Sequence, residues 1–298
     1  MLIPRLQLVG AAILFSTGGA AIKLTHLASW QIACFRSLIA AIVLLLLVPE
    51  TRVKWTRKTW VAGFAYCGAL LFFVLATKLT SAANAIFLQA AAPLYVLILS
   101  PWLLKERLRT SDFVLMAALA CGLALAFFGQ PAQSATAPNP ALGNVMGVLA
   151  GLSWGLTLIA LRSLSRGGDA ASGIRTAAVG NLITFLVCLP MALTMPMHAG
   201  VSDMIAIGYL GIFQVALAYV ILIRGISHVP AVESSALLLA ESALNPVWAW
   251  IFAGEAQPML AVAGGAVILS AMLIHLWATS TGQVVRTEAD VAVEHHLD

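Results

Sequence analysis

Charge is what this chain lacks most. Asp, Glu, Lys and Arg make up only 9% of its 298 residues, against roughly 25% in soluble domains. A chain this poor in charge cannot cover a water-facing surface. With 61% hydrophobic residues and a mean hydropathy of +0.97, its solvent is expected to be lipid. Cysteine is scarce as well: Cys34, Cys67, Cys121 and Cys188 stand singly, with no metal-ligand spacing. They read as small apolar fillers, which excludes a disulfide framework and a thiolate metal centre. There is no HExxH motif, no paired-aspartate motif and no phosphate-cradling loop. No catalytic residue, metal or cofactor is therefore implied, and ATP-driven pumping is excluded.

What the chain does have is a series of long apolar runs. A helical span needs about 20 such residues. Ten are expected, at 5–24, 28–48, 58–77, 81–104, 110–129, 142–161, 171–194, 203–223, 230–253 and 257–278. None alternates apolar with polar as an outer-membrane strand does, so the expected class is an all-α integral membrane protein. The first run leads straight into the second with no soluble segment between, unlike a cleaved signal. Trp30, Trp55, Trp60, Trp102 and Trp277 fall near span ends, as interfacial anchors do.

The pI of about 9.0 invites a nucleic-acid reading, but the distribution of the basic residues points elsewhere. If the N-terminus is cytoplasmic, the cytoplasmic segments carry Arg5, Arg52, Lys54, Arg57, Lys58, Lys105, Arg107, Arg109, Arg162, Arg166, Arg224 and Arg286, and the other side only Lys23 and Lys78. Twelve against two is a positive-inside bias. It places both termini in the cytoplasm, requires an even number of spans, and makes the basicity a topology signal. The expected partners are the bilayer and a small-molecule substrate, with no nucleic acid.

The uncharged Pro- and Ala-rich loop 130–141 divides the chain into five spans and five. Gly10, Ser16, Gly18 and Ile22 match Gly147, Ser153, Gly155 and Ile159 in spacing. Lys105-Glu106 matches Gly254-Glu255, each pair following a span that contains a proline, Pro93 or Pro246. Because five is odd, the second half must enter the membrane from the opposite side, the inverted repeat typical of secondary transporters. This pattern resembles the EamA-type repeats of the drug/metabolite transporter superfamily: Ser-x-Gly in the first span of each half, a Pro in the fourth, and a Glu opening the loop before the fifth. The second half carries it as Leu244-Asn245-Pro246-Val247, Ala253-Gly254-Glu255 and Gly264-Gly265. Position 105 departs from it, with Lys where Gly is usual. Within the superfamily the chain is most similar to bacterial aromatic amino acid exporters. The resemblance implies repeats at 5–129 and 142–278, a periplasmic linker at 130–141, a cytoplasmic tail at 279–298, and a location in the bacterial inner membrane.

Glu241 is the most informative single residue. It falls near the middle of a span, where a charge costs roughly 2.5–3.5 kcal/mol on insertion scales, so its expected role is functional; the competing reading is a structural hydrogen bond. Helical spacing aligns it with Ser234, Leu238, Asn245 and Trp248, and a break is expected around Pro246. Its candidate partners are Gln89, Gln214, Lys78 and Arg36. Phe73, Phe87, Tyr95, Trp154 and Trp248 lie deep enough to line an apolar vestibule, although each alone is more often packing. Ser16 and Ser153, from the repeated motif, complete the pathway candidates. Gly147, Gly151 and Gly155 form a small-xxx-small stripe, read first as helix packing. Gly151-Leu152-Ser153-Trp154-Gly155 formally matches a nucleophile elbow, but that motif needs a strand-turn-helix corner, and no histidine (His26, His198, His228 or His275) sits at its depth.

The leading expectation is a non-enzymatic secondary transporter that exports amino acids, aromatic and other apolar ones favoured, by alternating access. The alternative is a carrier of another amphiphilic metabolite or drug on the same fold. An intramembrane hydrolase is the remote alternative, and a passive channel finds no ring-forming polar motif. One chain already encloses a pathway, so a monomer suffices.

Overall fold

A computed structural model of the protein describes residues 2–105, 108, 110–165, 171–197, 199–226, 228–229, 234 and 237–294. Glu106, Arg107, Arg109, Arg166, His198 and the start of the expected 230–253 span lie outside them. The regular elements described are helical: α1 (Leu2–Ser16), α2 (Gly18–Leu24), α3 (Ser29–Leu47), α4 (Arg57–Leu79), α5 (Ala82–Ala90), α6 (Ala92–Leu103), α7 (Thr110–Phe128), α8 (Pro140–Ser165), α9 (Ser172–Thr194), α10 (Val201–Tyr209), a π-helical stretch (Leu210–Leu217), α11 (Ala218–Ile226), α12 (Ala240–Ala253) and α13 (Met259–Glu294). Helices satisfy their own backbone polar groups, which lipid cannot do for them.

Among the described residues eight segments are long and apolar enough to cross a membrane, and Asp112–Phe128 is a shorter apolar helix. Leu47, Phe64, Leu193, Ile205 and Trp250 are each more than half exposed. Large side chains this exposed would make an aggregating surface in water and a compatible one in hydrocarbon. The chain is a multi-pass membrane protein. The last helix runs on past the expected end of its span at 278, through most of the segment expected as a tail.

Among the described residues three apolar runs are interrupted. At Thr17, between α1 and α2, the side-chain hydroxyl donates to Leu14 O (2.7 Å) and meets the Tyr209 hydroxyl (2.8 Å). At Ala91, between α5 and α6, Pro93 occupies the first turn of the new helix, where its missing N–H costs nothing. The third interruption corrects the expectation at Pro246: α12 is continuous through that proline, and the turn sits at Leu239, just before α12. Glu241 is therefore a first-turn residue and not mid-helix.

Between the halves, α4 lies on α8 and α11 on α1; α5 and α6 lie on α8, while α12 lies on α1 and α2. Further, α4 packs on α9 and α3 on the π-helical stretch, and α3 pairs with α9 as α7 does with α13. The glycine stripe makes one of these contacts possible. A Cβ at Gly151 would stand 2.7 Å from Leu88 O, one at Gly147 would stand 2.8 Å from Leu88 Cδ1, and one at Gly155 would stand 3.1 Å from Ala92 O. Ser153 lies on another side of the same helix, against Gly68 of α4. The Gly-x-Ser-x-Gly sequence thus lies in continuous helix and makes no elbow.

Among the described residues two have a left-handed backbone: Gly254 (φ +62°), ending α12, and Lys105 (φ +56°), just after α6. These are the two positions that the repeat pattern aligned. The turn needs positive φ, which glycine supplies freely and lysine does not.

Candidate functional site

A cavity of about 340 Å³ opens where the interrupted helices meet, lined from both halves of the chain. Its aromatic wall is continuous. Tyr219 of α11 meets Phe15 of α1 edge-on at 5.2 Å and Tyr66 of α4 at 5.6 Å, and Tyr66 in turn meets Trp154 of α8 at 6.0 Å. Phe73 lies two turns further along the same face of α4 as Tyr66, and Met272 of α13 also reaches the cavity.

Five polar side chains interrupt this wall: Arg36, Gln89, Gln214, Glu241 and Ser242. Arg36, on α3, is 1% exposed, and its Nη2 donates to Leu70 O at 3.1 Å. Gln214 lies on the π-helical stretch, a rare element that recurs at functional sites, and its amide donates to Phe15 O at 3.4 Å. Glu241 is half-buried in the first turn of α12. A helix N-terminus favours a carboxylate by about 0.3–1 kcal/mol, so this end is occupied by the protein's own acid and is not left for a ligand's. Among the described residues, neither Arg36 nor Glu241 is in an ion pair.

Of the expected pathway residues, Phe73, Gln89, Trp154, Gln214 and Glu241 line this cavity. The others are placed around it. Ser16 and Trp248 bond to each other, indole Nε1 to Oγ at 2.8 Å, which ties α12 to α1. Asn245, fully buried, packs its amide against Gly19, where a Cβ would come within 2.3 Å of Oδ1. Phe87 fills the space left by Gly265, and Tyr95 covers the glycine stripe at Gly151 and Gly155. Lys78 lies at the far end of α4, where its ammonium donates to Thr25 O at 2.6 Å and stays apart from Glu241. Residues not expected there are Phe15, Tyr66 and Tyr219, and Arg36 joins the wall independently of Glu241.

The end of the bundle opposite the N-terminus is sealed by polar contacts. Lys23 Nζ meets Glu255 Oε1 at 2.9 Å, with both side chains under 5% exposed. Lys23 also donates to Thr80 O (2.6 Å) and to Thr136 O in the central loop. Glu255 Oε2 accepts from Ala82 N at 2.7 Å, capping α5. Below them Asn84 Nδ2 donates to Asn144 Oδ1 (3.0 Å), Ala126 O (3.0 Å) and Gly129 O (3.1 Å). The lock thus joins residues from both halves and the linker. Among the described residues no cluster of His, Cys, Asp and Glu could hold a metal ion.

Comparison with known proteins accords with this architecture. A model of the EamA-like transporter family matches the chain twice, at residues 3–128 and 141–277. The chain is 25% identical over 245 residues to the uncharacterized transporter YdfC of Bacillus subtilis (strain 168), across 80% of this chain and 78% of that protein. A crystal structure described only as that of a protein has the same fold, with a TM-score of 0.60 at 20% identity, covering 91% of this chain and 96% of its own.

Proposed function

Since the chain belongs to the EamA-like transporter family, we propose that it carries amino acids, aromatic and other apolar ones first, outward across a bacterial inner membrane by alternating access. The observation that carries this reading is the cavity: a carboxylate, Glu241, in no ion pair among the described residues, set in a wall of Phe15, Tyr66, Phe73, Trp154 and Tyr219. The carboxylate suits an ammonium group and the aromatic wall suits a ring or aliphatic side chain. The decisive assay is uptake into liposomes holding only the purified protein, with a panel of amino acids and the proton gradient varied. Glu241→Gln keeps the shape and removes the charge. Its phenylalanine and tryptophan transport is expected to fall at least about tenfold, the scale of one lost charged hydrogen bond. Unchanged transport would make Glu241 a structural residue.

The same reading has ten spans in two inverted repeats, 5–129 and 142–278, joined by an outward-facing linker at 130–141. The helix contacts support it, because most recur with the halves exchanged: α4 on α8 answers α11 on α1, and α5–α6 on α8 answers α12 on α1–α2. The Lys/Arg asymmetry supports cytoplasmic termini, which puts the end sealed by Lys23 and Glu255 outside. Ser134 is exposed in the linker. Ser134→Cys, in a background free of the four native cysteines, is expected to react with an impermeant maleimide on intact cells. Labelling only after permeabilisation would invert the topology.

A further inference from the structure

We propose that Arg36 is the carboxylate receptor of the transport cavity, so that a substrate must carry a carboxylate as well as an amine. This deepens the amino acid reading above and rests on it. Arg36 sits on α3 at 1% exposure, yet lines the cavity. Its guanidinium has five N–H donors in a rigid fork. The protein engages Nη2 through Leu70 O, and Nε has no partner. No acid pairs with it among the described residues, and Glu241 on the same cavity forms no ion pair either.

Burying an unpaired guanidinium is costly, and the fold goes to some length to hold it. The Leu70 carbonyl of α4 stands beside it. The α3 backbone that carries Arg36 is held in turn by the π-helical stretch, where a Cβ at Gly211 would lie 2.6 Å from Ile39 Cβ and 2.9 Å from the backbone oxygen of Arg36. One turn further on, Gln214 faces the same cavity with its Oε1 unpartnered. The arrangement leaves a forked donor with its Nε open and, separately, a carboxylate without an ion pair among the described residues, in one largely apolar chamber. The matching ligand has both charges and no net charge. A zwitterionic amino acid meets this requirement: its carboxylate takes the fork in a bidentate pair and its ammonium takes Glu241. A phosphate dianion would bring a second negative charge, and among the described residues lining the cavity Arg36 is the only Lys or Arg.

The test is direct binding to purified protein in nanodiscs, using tryptophan, tryptamine and indole-3-propionate, with phenylalanine and phenethylamine as a second series. In the native protein the amino acids are expected to bind at least about tenfold tighter than the matching amines, the scale of a bidentate charged pair. Arg36→Gln should weaken tryptophan and indole-3-propionate at least about tenfold while tryptamine changes by less than about twofold, and Arg36→Lys should recover part of the loss. Native protein that binds the amines as tightly as the amino acids would overturn the proposal without any variant. So would an Arg36→Gln protein that loses all three indole ligands equally, or native protein that binds no carboxylate at all. Arg36-dependent binding of indole-3-propionate with no binding of either amino acid would instead sustain the receptor and overturn the amino acid reading.

Discussion

Glu255→Leu is expected to destabilise the protein by about 3–5 kcal/mol, measured as equilibrium unfolding in mixed micelles. Removing one partner of a buried pair leaves the other as an uncompensated charge, which costs far more than the pair contributes. Here the survivor is Lys23, under 5% exposed, with only the carbonyls of Thr80 and Thr136 to turn to. The N-terminus of α5 also loses its acceptor at Ala82 N. The double variant Lys23→Met/Glu255→Leu should recover most of the loss, because two apolar side chains of similar bulk replace two charges. A single variant within about 1 kcal/mol of the parent would show that the lock does not hold this end together.

Gly151→Leu is expected to abolish most transport, at least about tenfold below the parent at equal membrane abundance, and to cost about 1–3 kcal/mol of stability from overpacking. The first added carbon would already stand 2.7 Å from the Leu88 backbone oxygen and 3.3 Å from the Tyr95 ring. A backbone oxygen cannot rotate aside, so α8 must separate from α5 and α6. Those helices bring Gln89 and Trp154 to the cavity, so the displacement reaches the site. Leu156→Ala, on the same helix, adds no bulk at this seam and should transport near the parent rate. Equal activity in the two variants would remove the stripe from the mechanism.

Much of this fold could be read from composition and spacing. Scarcity of charge implied lipid, apolar run length located the helices, and the spacing of Ser16 and Gly18 against Ser153 and Gly155 exposed the repeat that the family model matches twice. Glu241 stood out because a carboxylate in an apolar run has few bland explanations. Tyr66, Tyr219 and Phe15 did not stand out. A helix that faces lipid on one side and protein on the other is apolar on both, so its inward face carries no amphipathic signal. Nor did the partner of Lys23: Glu255 lies 232 positions away and only the folded chain brings them together. The misplaced break has a physical reason as well. Pro246 removes a donor, but it lies inside α12, and the chain turned instead at Leu239, before the helix.

The left-handed turns at Lys105 and Gly254 are the same backbone geometry at two positions, one in each of the two stretches matched by one family model. At Gly254 the backbone adopts positive φ without penalty, whereas at Lys105 a side chain makes the same turn at a cost of about 1 kcal/mol or more. The same turn is thus made by the residue that best suits it and by one that does not. The two positions therefore agree in dihedral angle while differing in residue type. An alphabet comparison scores Lys against Gly as unrelated; a comparison of backbone angles scores the two positions as the same.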